Sequence, residues 1–151
     1  MYITMKNKFE FETPNEFDEK TPEELLDEYL NEFAATDDSY INIYGAFFSV
    51  ITKLLPTSIK ILVWMAFNCE LDKGRCVIQS IAQQRLLKDL KISQVSYFKC
   101  LRDLKAHDAI RGCDAEYFIN PRFMWRGTDK RRHRFAAKYP YIENEKKSQK
   151  P

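Results

Sequence analysis

The chain has 151 residues, 44% hydrophobic and 30% charged, which is the size of one domain and too apolar for a wholly disordered chain, so a large multidomain enzyme is excluded. Its net charge of +2 conceals a division after Tyr40: residues 1–40 hold 12 acids against 3 bases, net −9, and residues 41–151 hold 10 against 21, net +11. A basic body with an acidic arm points to an anionic partner such as nucleic acid, the arm either solvating the protein or competing for the same surface.

Residues 1–20 mix charges and aromatics without a period and read as an irregular arm. They lack the basic-then-apolar order of a secretory signal, so a cytoplasmic location is expected. Thr21-Pro22-Glu23-Glu24 is a strong helix start, with Thr21 capping, Pro22 at the first helical position and Glu24 closing a capping box. The predicted helix runs to about Phe33. Leu25, Leu26, Tyr29, Leu30 and Phe33 share one face, available to the domain or to a second subunit, so a homodimer is one option. Thr36-Asp37-Asp38-Ser39 reads as a linker. The expected division is therefore an acidic arm over 1–39, a domain over 40–140 and a polar tail over 141–151.

Residues 40–44 suit a short strand, and Phe47, Val50, Ile51 and Leu54 mark one face of a helix that ends before Pro56. A second helix follows, nearly all apolar from Ile59 to Phe67, and is expected at the centre of the core. That run falls well short of the roughly 20 residues that span a bilayer, so no membrane partner is expected. Residues 75–79 form a predicted strand. A helix from about Ser80 should turn Ile81, Leu86, Leu87 and Leu90 inward. After a tight turn at Lys91-Ile92, Ser93 caps a helix that buries Tyr97, Leu101 and Leu104 and runs to His107. Residues 109–113 and 116–120 make a hairpin about Asp114-Ala115, and Pro121 ends it.

Helix, strand, helix, tight turn, helix and hairpin is the element order of a winged helix-turn-helix. The expected fold is mainly α with a small β-hairpin, an α+β winged helix with an N-terminal helical extension. In that arrangement the second helix of the pair enters the major groove. Ser93, Gln94, Val95, Phe98, Lys99 and Arg102 lie on its outward face. Gln can pair with adenine, Lys and Arg with guanine acceptors, and Val or Phe can touch thymine methyls, so these six are the candidate base readers. Lys105, Arg111, Arg122, Arg126, Lys130, Arg131, Arg132 and Arg134 are the candidate phosphate contacts, most of them in a basic stretch that ends at Lys138. Its interleaved Phe123, Trp125, Phe135 and Tyr139 can stack on bases, but at this spacing they read better as packing the stretch onto the domain.

Cys69, Cys76, Cys100 and Cys113 contain no closely spaced pair and have only His107 and His133 to assist them, so core thiols are expected, with no metal and no cofactor. The same histidines cannot form the closely spaced pair with which some tyrosine nucleases hold a divalent metal. The scattered Gly45, Gly74, Gly112 and Gly127 make no phosphate loop or nucleophile elbow, so no enzyme activity is expected.

The sequence Glu116-Tyr117-Phe118-Ile119-Asn120-Pro121, followed by Arg126-Gly127-Thr128-Asp129-Lys130-Arg131, resembles the ending of the RepL family of plasmid replication proteins, where it follows a winged helix. The resemblance runs from about Tyr40 to Phe135 and takes in Ile92-Ser93, Leu101, Leu104 and Ile110. Asp108 departs from it, standing where many such helices end in Gly, and residues 1–39 have no counterpart. The resemblance implies a plasmid-encoded initiator that binds double-stranded origin DNA, recruits host replication proteins and often represses its own promoter. A winged-helix transcriptional regulator and a protein-interaction module on the same fold are the alternatives.

Overall fold

The computed structural model of the protein describes residues 20–34 and 40–145; the rest of the expected arm and linker, 1–19 and 35–39, and the end of the expected tail, 146–151, lie outside the described residues. Helix α1 (Pro22–Phe33) starts as its chemistry demands. The Thr21 hydroxyl accepts from the Glu24 N–H, and the Glu24 carboxylate accepts from the Thr21 N–H. This helix is no detached arm: Leu26 and Tyr29 are buried in the common core, and α1 packs along α3 (Pro56–Asn68). Lys60 of α3 lies 5.6 Å from the centre of the Tyr29 ring.

Between them come strand β1 (Asn42–Ile43), the one-turn helix α2 (Gly45–Phe48) and a 3₁₀ turn at Ile51–Lys53. The sequence predicts one continuous helix here, and the structure divides it. Val50 N–H donates to Phe47 O and Lys53 N–H to Val50 O, i to i−3 bonds that wind the chain more tightly than an α-helix. Phe47, Ile51 and Leu54 still reach the core, so the apolar pattern holds where the helix does not. Helix α3 is buried on nearly every side from Ile59 to Ala66. Its start has no local cap. Asp103, from the later helix α5 (Gln94–Ala106), supplies one, accepting from the Leu55 N–H at 2.9 Å and the buried Ser58 hydroxyl at 2.7 Å.

Strand β2 (Arg75–Val77) leads to α4 (Ser80–Leu90), where Leu86 and Leu90 are buried and Leu87 is half-buried. Ile81, expected inward, is 83% exposed. The inward stripe is Ala82, Leu86 and Leu90 at intervals of four, and Ile81 lies about 100° round the helix from Ala82. Lys91 ends α4 in the left-handed conformation, φ 56°, and the Ile92 N–H returns to Leu87 O. Ser93 then caps α5 by accepting from the Ser96 N–H, and Tyr97, Cys100, Leu101 and Leu104 are buried.

Strands β3 (Ile110–Cys113) and β4 (Glu116–Ile119) meet through Asp114 and Ala115, both at positive φ, the two-residue turn whose twist suits a hairpin. β4 lies between β2 and β3 in an antiparallel sheet, pairing Cys76 with Tyr117 and Gly112 with Tyr117 across it. Two elements that the sequence reading leaves unassigned complete the chain. Strand β5 (Met124–Trp125) pairs with β1, and helix α6 (Asp129–Ala136) runs into a 3₁₀ turn at Tyr139–Tyr141. The architecture is α+β, a helical layer with small antiparallel sheets. Among the described residues no helix is long and apolar enough to cross a membrane.

The two faces of the three-stranded sheet differ. Because opposite residues share a face, Cys76, Gly112 and Tyr117 point one way, and Arg75, Arg111 and Phe118 the other. The first face meets α5, with the Lys105 ammonium 5.4 Å from the centre of the Tyr117 ring. The second face carries α6, with the Phe135 ring 5.7 Å from Phe118.

Candidate nucleic-acid interface

The outward surface of α5 follows from its inward one. With Tyr97, Cys100, Leu101 and Leu104 buried, a pitch of 3.6 residues leaves Gln94, Val95, Phe98, Lys99 and Arg102 on the opposite side, and all five are exposed, as is Ser93 at the cap. All six candidate base readers are thus brought together. Val95 is 79% exposed, an apolar side chain at the helix start with nothing among the described residues to cover it. The chemistry offered is an amide, an ammonium, a guanidinium and two apolar contacts on one convex helix face.

Beside the start of α5 lies an open cleft of about 520 Å³, lined by Gln79, Gln83, Gln84 and Gln94 and closed on one side by Ala115 at the hairpin tip. Sequence reasoning misses Gln79, Gln83 and Gln84 as parts of a site. The signal available to it is their clustering about the start of α4, where amides at 79 and 83 fall on one side of the helix.

The candidate phosphate contacts divide into two groups. Arg122, Lys130, Arg131 and Arg134 are exposed. The other four fasten the fold. Arg111 donates to the Asp108 carboxylate at 2.8 Å and to Pro140 O at 2.7 Å, with its guanidinium 5.1 Å from the centre of the Tyr139 ring. Arg126 donates to Cys69 O at 2.7 Å and Phe67 O at 3.3 Å, satisfying carbonyls at the end of α3. Arg132 donates to Pro121 O at 2.7 Å and lies 3.6 Å from the centre of the Tyr44 ring, its side chain only 18% exposed. Lys105 donates to Asn144 O at 3.2 Å. Planar guanidinium donors suit exposed carbonyls and ring faces as well as they suit phosphates, so composition alone does not separate these uses.

The residues that carry the family resemblance also serve the fold. Asn120 is buried, donating to Asp108 O at 2.8 Å and accepting from the Arg122 N–H at 2.9 Å, which pins the base of the hairpin to the end of α5. Asp108 adopts φ 55°, the left-handed geometry for which Gly is the usual choice, and its carbonyl also accepts from the Tyr139 hydroxyl. Gly127 has φ 143°, and a Cβ there would fall on the Asp72 carboxylate and 2.8 Å from Asp72 N. The tail is engaged too, since the Asn144 side chain accepts from the Gly112 N–H at 3.2 Å, beside the outer strand β3.

Cys69, Cys76 and Cys100 are buried. Burial pushes the Cys69 thiol up to about 11 and that of Cys76 up to about 12, so both are neutral core groups at physiological pH. Among the described residues no group of three or more His, Cys, Asp or Glu comes together that could hold a metal ion. Comparison with known proteins adds no relative: no family model matches the chain, and no curated protein or solved structure is significantly similar to it.

Proposed function

We propose that the protein is a winged-helix DNA-binding protein that reads duplex DNA with α5, and that it serves as a plasmid replication initiator of the RepL kind, marking an origin and recruiting host replication proteins. The observation that carries the reading is the exposed face of α5. It presents Gln94, Val95, Phe98, Lys99 and Arg102 together, after a left-handed turn at Lys91 and with the core gripped from behind. The order α3, β2, α4, α5, β3, β4, with β4 central in the sheet, supports the winged helix-turn-helix. Gln94, Lys99 and Arg102 are the base readers, and the Gln79–Gln83–Gln84 cleft lies where the hairpin tip meets the helix pair. The protein performs no covalent chemistry on DNA in this reading. Selection of bound duplexes from a random pool tests it: one enriched sequence is expected, bound in the nanomolar range. Location of that sequence inside a minimal replicating region makes the protein an initiator, and location only at a promoter makes it a transcriptional regulator. Recovery of no preferred sequence and no binding to random duplex at low salt would leave the fold as a protein-interaction module.

A further inference from the structure

The exposed cations of α6 lie on the side of the sheet away from α5. Phe118 and Tyr117 are neighbours in β4, so they point to opposite faces; α6 rests on Phe118 through Phe135, and α5 approaches Tyr117 through Lys105. A duplex lying in contact with Gln94 and Lys99 therefore has the sheet between itself and α6. Resting on the reading of α5 as the base-reading helix, we infer that Lys130, Arg131, Arg134 and Lys138 form a second, sequence-independent duplex site, so that one molecule holds two separate DNA segments.

The charge on α6 is laid out for a polyanion. Lys130 and Arg134 stand four residues apart and Arg131 and Arg134 three, so these pairs repel one another on the helix until an anion intervenes, and Lys138 follows two residues beyond its end. The helix has one acid, Asp129, and its two oxygens face inward-turned Arg132 at 3.5 Å and His133 at 3.6 Å. A solvated helix face commonly alternates in sign; this one does not. The cations also stand on a fixed base. Thr128 caps the helix by accepting from the Arg131 N–H, Arg132 is bonded to Pro121, and the Phe135 ring lies 5.8 Å from Trp125 and 6.1 Å from Tyr139. Little backbone ordering is then needed to bind. Phosphates of a duplex fit better than unstacked bases. Trp125, Phe123 and Tyr139 are buried and Phe135 is packed against Trp125 and Tyr139, so of the aromatics from Phe123 to Tyr141 only Tyr141, beyond the helix, is well exposed for stacking.

The test is a sandwich with the full chain. A short duplex carrying the selected sequence, too short to bend round the sheet, is fixed to a surface and saturated with protein, and labelled random duplex is then added at low salt. The wild type is expected to retain the second duplex. Lys130→Glu/Arg131→Glu/Arg134→Glu is expected to reduce that retention at least tenfold while its affinity for the short duplex stays within twofold, and the triple Gln variant should act in the same direction. Both variants keep Arg132 and Phe135, and an unchanged thermal melt verifies that they fold. Retention that survives both variants overturns the proposal, because the bridge is then made by another surface or by a dimer. Failure of the wild type to retain any second duplex also overturns it. Loss of the short duplex in the α6 variants, with none on changing Gln94 and Lys99, would instead move base reading to α6 and sink the reading of α5.

Discussion

Helices α5 and α6 are both basic, both capped by a hydroxyl residue and both adjacent to the same sheet, yet they use their charge differently. On α5, Lys99 and Arg102 project from a helix held by Tyr97, Cys100, Leu101 and Leu104, so packing and display are divided between aliphatic or aromatic and cationic residues. Helix α6 buries no residue fully and is held by Phe135 together with a cation, Arg132. The difference teaches that a basic helix without an apolar stripe must use some of its charge as adhesive. Neighbouring arginines in one run, Arg131 and Arg132, then have unrelated roles.

The comparison breaks most severely at the joint that places α6. Gly127 approaches Asp72 on both sides: Asp72 N–H donates to Arg126 O at 2.9 Å, and the Asp72 carboxylate accepts from the Thr128 N–H at 2.6 Å. Gly127→Ala combines a left-handed strain with a clash against that carboxylate and should cost about 3 kcal/mol. Urea denaturation measures it, and a loss below about 1 kcal/mol would mean that the joint yields and α6 is not firmly placed.

Next in size is the contrast within α6 itself. Arg132→Ala removes a charge-assisted bond to Pro121 O and a ring contact with Tyr44, an expected loss of about 1.5–3 kcal/mol. Arg131→Ala, on the exposed side, should stay within about 0.5 kcal/mol of wild type. Equal effects from the two substitutions would erase the distinction between adhesive and displayed cations.

On α5 the displayed residues are expected to act on binding and not on stability. Gln94→Ala or Lys99→Ala should cost about 1–3 kcal/mol on the selected sequence, relax its preference and leave random duplex almost unaffected. Fluorescence anisotropy on the two duplexes checks this. A uniform loss on both would make α5 a phosphate-gripping helix, much as α6 is proposed to be.

What the sequence made legible was whatever rests on local chemistry. The Thr21 capping box, the Ser93 cap, the buried run of α3, the Tyr97–Leu101–Leu104 stripe and the Asp114-Ala115 turn each depend on residues within one element. What stayed hidden depends on partners far along the chain. Asp103 caps α3 from 48 residues away, Arg126 reaches Cys69 from 57 residues away, and β5 exists only because β1 is there to pair with it. Helix α6 was hidden for a related reason: its polar composition offers no apolar period, and its one aromatic anchor, Phe135, gains meaning only beside Phe118 and Trp125. The exposed members of the candidate site were legible because display is the complement of a local stripe, while the fasteners Lys105, Arg111, Arg126 and Arg132 were not.

The smallest expected effect sharpens the same point at Ile81. Read with Leu86, Leu87 and Leu90, it belongs to the core stripe of α4, and a core Ile→Ser would leave a cavity and an unsatisfied hydroxyl at a cost of several kcal/mol. The structure turns it outward beside Ser80 at the helix start, with Ala82 taking the inward place one residue on. Ile81→Ser should then change stability by less than about 0.5 kcal/mol, since Ser and Ile have similar helix propensity and little apolar contact is lost. Ser80 and Gln83, its near neighbours in the chain, line the cleft between α4 and the start of α5. Ile81 itself is 83% exposed, so its contribution to the fold is small. A drop in affinity for the selected duplex without a change in urea midpoint would assign Ile81 to that surface, and a loss of stability of more than about 1 kcal/mol would return it to the core.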